Sequence, residues 1–209
     1  MLLESRIKTT RNLVRAINQS EVKHFISTSA IGIYPDNLRC DESTTEIAGD
    51  FLGMLAREWE TEALACHKLT TILRFGVILG PDGGALAQML TPFRLGVGGI
   101  IGNGRMMTSW IDIDDLMKIY RFVIERRLSG IFNAVSPNPV TNYVFTKTLG
   151  AILHRPTVLP IPEFALRIMY GEAASVLTGS KEVYPRALSE AGYVFDYPDL
   201  ESSLKHLLG

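Results

Sequence analysis

Residues Lys23-His-Phe-Ile-Ser-Thr-Ser-Ala-Ile-Gly-Ile-Tyr34 read as a short apolar strand, His24 to Ser27, that runs into a turn of hydroxyls and glycine. A buried strand that delivers polar groups at its end belongs to a parallel sheet, where helices cover both faces and ligands gather beyond the carboxyl ends of the strands. The chain around it keeps that alternation. Leu3, Ile7, Thr10, Val14 and Ile17 recur at helical spacing ahead of the strand. Asp36 to Glu46 is a polar loop, and Leu52, Leu55, Ala56, Trp59 and Ala63 then share one face of a second helix. Thr70 to Leu79 is a long apolar strand, interrupted by Arg74 and closed by the turn Gly80-Pro-Asp-Gly-Gly84.

Beyond that turn, Leu86, Met89, Leu90 and Phe93 predict a third amphipathic helix, followed by a glycine-rich loop from Gly96 to Gly104. Ser109 to Ile113 is a short strand. Asp112, Asp114 and Asp115 open the next helix, where carboxylates cap free N–H groups and suit the positive end of the helix dipole. Ile131 to Val135 reads as a strand, Thr141 to Leu153 as a helix, and Thr157 to Ile161 as an extended segment leading into a helix from Pro162 to about Leu177. Two short helices, Pro185 to Ala191 and Pro198 to Leu208, follow, the first stopped by Gly192.

Composition excludes several function classes. Twenty-one basic residues against 22 acidic ones leave a net charge of −1 with no basic stripe, which argues against a nucleic-acid partner and for a small-molecule substrate. Apolar runs are too short to span a membrane, and the opening residues do not form a signal peptide. Cys40 and Cys66 stand apart from one another, so neither a disulfide framework nor a zinc site is indicated, and a cytoplasmic location is expected. His24, His67, His154 and His206 lack metal-ligand spacing, and no metal is expected. There is no G-x-S-x-G nucleophile elbow and no phosphate-binding loop followed by lysine.

Four segments carry a family likeness when taken together: Glu4 to Arg11, Phe75-Gly-Val-Ile-Leu-Gly-Pro-Asp-Gly-Gly84, Ser109-Trp-Ile-Asp-Ile-Asp-Asp-Leu116 and Phe132 to Thr141. With them the chain resembles the extended short-chain dehydrogenase/reductases, and within these an atypical epimerase-like branch with a C-terminal domain of its own, often labelled nucleoside-diphosphate-sugar epimerase. The resemblance implies an α/β fold: the C-terminal half of a Rossmann-like parallel sheet with a smaller, mainly helical substrate domain. Residues 1–80 and 109–136 would form the sheet domain, and 81–108 and 137–209 the substrate domain. It implies NADP or NAD as cofactor, with NADP ahead. The family's glycine-rich diphosphate loop does not occur in this sequence. Three preceding βα units, about 90 residues, are therefore expected to be missing, leaving a sheet edge through which the chain is expected to self-associate.

The resemblance also distributes roles. Ser29 falls where relatives use a hydroxyl to hold the substrate oxygen, a sensible place for a donor to a carbonyl gaining charge; a turn or capping serine explains it equally. Leu52 and Ala56 occupy the places of the family's Tyr-x-x-x-Lys pair and transfer no proton. Tyr34, Arg57 and Glu58 are the nearby substitutes, with Arg57 and Glu60 read as a solvated pair on an exposed face. Ser27, Ser29 and Ala30 on one strand and Phe75, Gly76 and Val77 on the next are the expected cofactor contacts, the latter through backbone amides. Thr108 stands where nucleotide-sugar enzymes keep a diphosphate-binding arginine. Arg105, with Met89 and Trp110 as pocket lining, is the expected substrate contact.

Three readings remain open from sequence: an atypical NAD(P)-dependent epimerase or oxidoreductase acting on a small carbonyl or sugar-like substrate, a non-catalytic dinucleotide-binding scaffold, and an inactive truncated fragment.

Overall fold

The computed structural model describes residues 4–162 and 179–209; Leu3 and the helix expected to run on from Pro162 lie outside them. A π-helical turn, Glu4–Lys8, leads into α1 (Thr9–Asn18), whose Thr10, Val14 and Ile17 turn inward. β1 (His24–Ala30) follows, then β2 (Arg39–Cys40) and α2 (Phe51–Leu64). Asp50 caps α2 by accepting the Gly53 N–H at 2.8 Å, as an N-cap carboxylate should. β3 (Leu69–Phe75), β4 (Val77–Gly80) and α3 (Gly84–Arg94) come next. β5 (Met107–Thr108), β6 (Trp110–Asp112), α4 (Ile113–Glu125), β7 (Gly130–Ala134), β8 (Val140–Thr141) and α5 (Asn142–Ile152) complete the middle of the chain. After the undescribed stretch come β9 (Glu182–Val183), α6 (Arg186–Glu190) and α7 (Leu200–Leu208).

The main sheet is parallel, in the order β1-β3-β7. The α/β expectation therefore stands, with helices packed on both faces. Val14, Ile17, Phe25, Ala63, Cys66 and Ile72 make the core on the α1–α2 side. Leu73, Ile111, Leu116, Ile119, Val123 and Phe132 make the core under α4. A third cluster, around Trp110, Leu86, Phe93, Phe145, Leu149 and Leu204, unites α3, α5 and α7 into a helical lobe.

The strand expected to run unbroken from Thr70 to Leu79 is two strands in two sheets. β3 pairs with β7, whereas β4 leaves that partner and pairs with β6. The change happens at Gly76. A Cβ there would lie 2.6 Å from the Ser109 carbonyl oxygen and 2.8 Å from Val135 Cγ1, so only a residue without a side chain lets β6 close in on the departing strand. Periodicity saw one apolar run because the residues on both sides of Gly76 are apolar and at least half-buried.

The C-terminal part is stitched back into the sheet domain. Asn37 N–H donates to the Ser180 carbonyl, Lys181 N–H to that of Met107, and Tyr184 N–H to that of Cys40. The segment from Ser180 to Tyr184 thus lies between β2 and the strand end at Met107, and Lys181 Nζ reaches the Tyr34 carbonyl at 2.5 Å and Asp36 Oδ1 at 2.9 Å.

Candidate functional site

The register of the main sheet sets Ser29 opposite Arg74 and Arg74 opposite Asn133. Three polar residues therefore share one rung across three strands, and all three are buried. The next rung, Ala30, Phe75 and Ala134, ends the strands. A charged rung inside a sheet needs partners from the covering layer.

Glu60 supplies the first. Arg74 donates Nε to Glu60 Oε1 at 2.8 Å and Nη2 to Oε2 at 2.7 Å, a two-pronged pair inside the interface between α2 and the sheet. Ser29 Oγ donates to the same Oε1 at 2.7 Å. The expectation of a solvated Arg57–Glu60 pair is thereby overturned. Arg57 is exposed, while Glu60 is 5 % exposed because it follows Gly53 and Ala56 and precedes Ala63 on the inward stripe of the helix.

Tyr34 closes the other end. Its hydroxyl accepts Arg74 Nη1 at 2.6 Å and donates to Asn133 Oδ1 at 3.0 Å. Burial pushes its ionisation above the usual tyrosine range, against the pull of Arg74, so its proton is tightly held. Asn133 continues the chain: its side-chain N–H reaches the Tyr184 carbonyl, and its backbone N–H donates to Glu42 Oε1 at 2.7 Å. Glu42 also accepts the Ala187 N–H near the start of α6, and burial holds its carboxyl above the ordinary glutamate range.

The remaining expected site residues divide. Ser27 is buried, its hydroxyl making, among the described residues, a long contact to the Thr28 carbonyl, and Ala30 is exposed. Phe75 leans edge-on toward Tyr120, and Val77 packs on the helical lobe. The Gly76 N–H is given to the Ala134 carbonyl and the Val77 N–H to that of Ser109, so the amides expected to serve a cofactor are already in use. Leu52 is half-buried and faces the turn after β1, its Cβ 3.7 Å from where a Cβ on Gly32 would stand. Trp110 is fully buried in the lobe core with its Nε1–H on the Asn138 carbonyl, Met89 packs against the same core, and Arg105 is exposed on its loop. These three are not a single lining.

Two clusters escaped the sequence because their members lie far apart in it. Asp115 accepts the Tyr193 hydroxyl and the Asp196 N–H on one oxygen and the Tyr197 N–H on the other, fastening the C-terminal segment to α4. The neighbouring carboxylates of Asp112 and Asp114 meet His206, whose Nε2 is 2.7 Å from Asp114 Oδ2. These three groups are close enough together to hold a metal ion. Asp112 already caps α4 and accepts the Ser203 hydroxyl, so helix capping gives the cluster a purpose without an ion. Near the end of β4, a cavity of about 360 Å³ is lined by Ile78, Gly80, Pro81, Asp82, Gly83, Gly84 and Ile113.

Comparison with known proteins adds the lineage. Residues 1–134 match the NAD dependent epimerase/dehydratase family, and residues 161–207 match a domain of unknown function, DUF1731. The mouse epimerase family protein SDR39U1 is 36% identical over 215 residues, covering 99% of this chain and 73% of its own. A chloroplastic homolog from Arabidopsis thaliana is 35% identical over 98% of this chain, which spans 61% of that protein. The crystal structure of human SDR39U1 (isoform 2) with NADPH superposes with a TM-score of 0.92 at 33% identity, over 98% of this chain and 72% of the human one. No helix among the described residues is long and apolar enough to cross a membrane.

Proposed function

The chain belongs to the NAD dependent epimerase/dehydratase family, and from that premise we propose that it binds a nicotinamide dinucleotide, NADPH ahead of NADH, and exchanges hydride with a small carbonyl or sugar-like substrate. The observation that carries this reading is the strand-end rung of Ala30, Phe75 and Ala134, which closes a parallel sheet beside the bend at Gly76. Crevices beyond the carboxyl ends of such strands are where dinucleotides lie. The NADPH in the human relative supports the choice of cofactor.

In this reading Ser27, Ser29, Ala30 and Phe75 to Val77 border the nicotinamide, Ser29 being the catalytic group and Tyr34 a support behind it. Residues 1–80 and 109–136 form the dinucleotide domain, and 81–108 and 137–209 the substrate domain, with exposed Arg105 as a cation for a substrate anion. Titrating the protein with NADPH and NADH by fluorescence, then assaying NADPH oxidation against a panel of small aldehydes, ketones and keto sugars, tests both halves. Saturable NADPH binding with turnover is expected; absence of binding overturns the reading.

A second reading, a dinucleotide-responsive scaffold, is favoured by one observation. Both hydroxyls nearest the strand ends, Ser29 and Tyr34, already donate their protons inside the molecule. Binding without turnover selects it.

A further inference from the structure

We infer that two neighbouring loops of the helical lobe, one following Arg94 and the other following Arg155, form a docking face for an anionic lipid bilayer. The two loops run side by side. Arg155 Nε donates to the Arg94 carbonyl at 2.8 Å, the Ile161 N–H to that of Ile100 at 2.8 Å, and the Gly102 N–H to that of Ile161 at 3.0 Å. A Cβ on Gly99 would overlap the Leu159 carbonyl oxygen, so the backbones are in contact. On this joined surface Leu95 and Val158 are 74% and 78% exposed, and Val97 and Leu159 are half exposed. Single exposed aliphatic residues are ordinary, but four on one pair of touching loops make a patch.

The charge beside the patch has one sign. The chain carries 22 acidic residues, yet none occurs between Asp82 and Asp112 or between Glu125 and Glu163. Arg94 and Arg155 are exposed, with no acid on either loop to neutralise them. Charge complementarity therefore selects an anionic partner, and the apolar chemistry selects a bilayer among anionic partners. Protein hot spots draw on Trp, Tyr and Arg, with Leu and Val under-represented, and single-stranded nucleic acid is met by aromatic platforms. Aliphatic tips flanked by arginine suit the headgroup boundary, where the tips enter the acyl layer and the guanidiniums meet lipid phosphates. A second copy fits less well, since a two-fold interface would press the same positive patch against itself. No helix among the described residues is long and apolar enough to cross a membrane, so the face rests on the bilayer surface.

The face is independent of the dinucleotide reading, and co-sedimentation of the whole chain with vesicles tests it without any measure of turnover. Binding is expected to vesicles of equal parts phosphatidylcholine and phosphatidylglycerol, and to be at least about 10-fold weaker to phosphatidylcholine alone. It is expected to fall as added salt shortens the Debye length from about 10 Å to about 3 Å. Arg94→Gln is expected to weaken binding about 5-fold, and Leu95→Ser combined with Val158→Ser about 10-fold or more. Arg121→Gln, which removes the same charge from the exposed side of α4, is expected to leave binding unchanged. Thermal melting should match wild type in every variant, because each altered side chain is exposed. Equal binding to neutral vesicles, an equal loss in Arg121→Gln, or no sedimentation with either vesicle overturns the docking face. Retention on duplex DNA without retention on vesicles overturns it too. If light scattering instead finds a concentration-dependent dimer that Leu95→Ser with Val158→Ser abolishes while vesicles are ignored, the occupant is a second copy and the bilayer proposal falls.

Discussion

Arg74 and Glu60 meet through two parallel hydrogen bonds of 2.8 and 2.7 Å in the layer between sheet and helix, with side chains 9% and 6% exposed. Removing one partner strands the other charge where water cannot reach it. Arg74→Ala and Glu60→Ala are each expected to cost about 3–5 kcal/mol in urea unfolding, and the double change Arg74→Met with Glu60→Leu to recover most of that loss. A single variant within about 0.5 kcal/mol of wild type contradicts the pairing.

Gly76 is expected to tolerate no side chain. In Gly76→Ala the added methyl meets the Ser109 carbonyl and Val135, so the β4–β6 pair must move away from β3. Destabilisation of about 1–3 kcal/mol is expected, read as a lowered urea midpoint, together with weakened dinucleotide binding. A Gly76→Ala protein as stable as wild type would show that β6 yields freely.

Asp115 is expected to hold the C-terminal segment to α4. Tyr193→Phe removes one of its donors and should cost about 1–2 kcal/mol; Asp115→Ala leaves the half-buried Tyr193 hydroxyl and two N–H groups without a shared acceptor and should cost more. Limited proteolysis reads the difference: cleavage between residues 193 and 199 should accelerate in Asp115→Ala well before global unfolding.

Glu42 gives a pH dependence of definite sign. Burial raises its carboxyl pKa in the folded protein, so the folded state holds the proton more tightly than the unfolded chain does. Stability from this group is fully present below the unfolded glutamate pKa and falls as pH rises from there through the folded pKa. Glu42→Gln, which does not ionise, should lack that fall. The stability difference, wild type minus variant, is expected to decline on going from about pH 4 toward neutrality, and a difference that rises with pH refutes it.

Much of this was written in the sequence, though not its assembly. A serine-bearing strand, an arginine inside an apolar run and an acid on the inward stripe of a helix are each visible. A buried cation calls for a buried anion, and the spacing of Gly53, Ala56, Glu60 and Ala63 marks the candidate. Their meeting depends on the register that sets Ser29 against Arg74, which no local pattern encodes. The same limit hid the break at Gly76, since an apolar strand looks alike whichever neighbour it pairs with. Asp115 was read as a helix-opening acid, and its three donors lie about eighty residues further on.

The slot filled by Ser180 to Tyr184 has a consequence for how the molecule is made. Its walls, at Asp36 and Met107, precede the filling strand by 144 and 73 residues. During synthesis they emerge long before the strand that joins them, and their backbone groups face water until it arrives. Closing loops of that length is slow, so the pairing of Ser180 to Tyr184 with its two walls is expected to be a late event in folding.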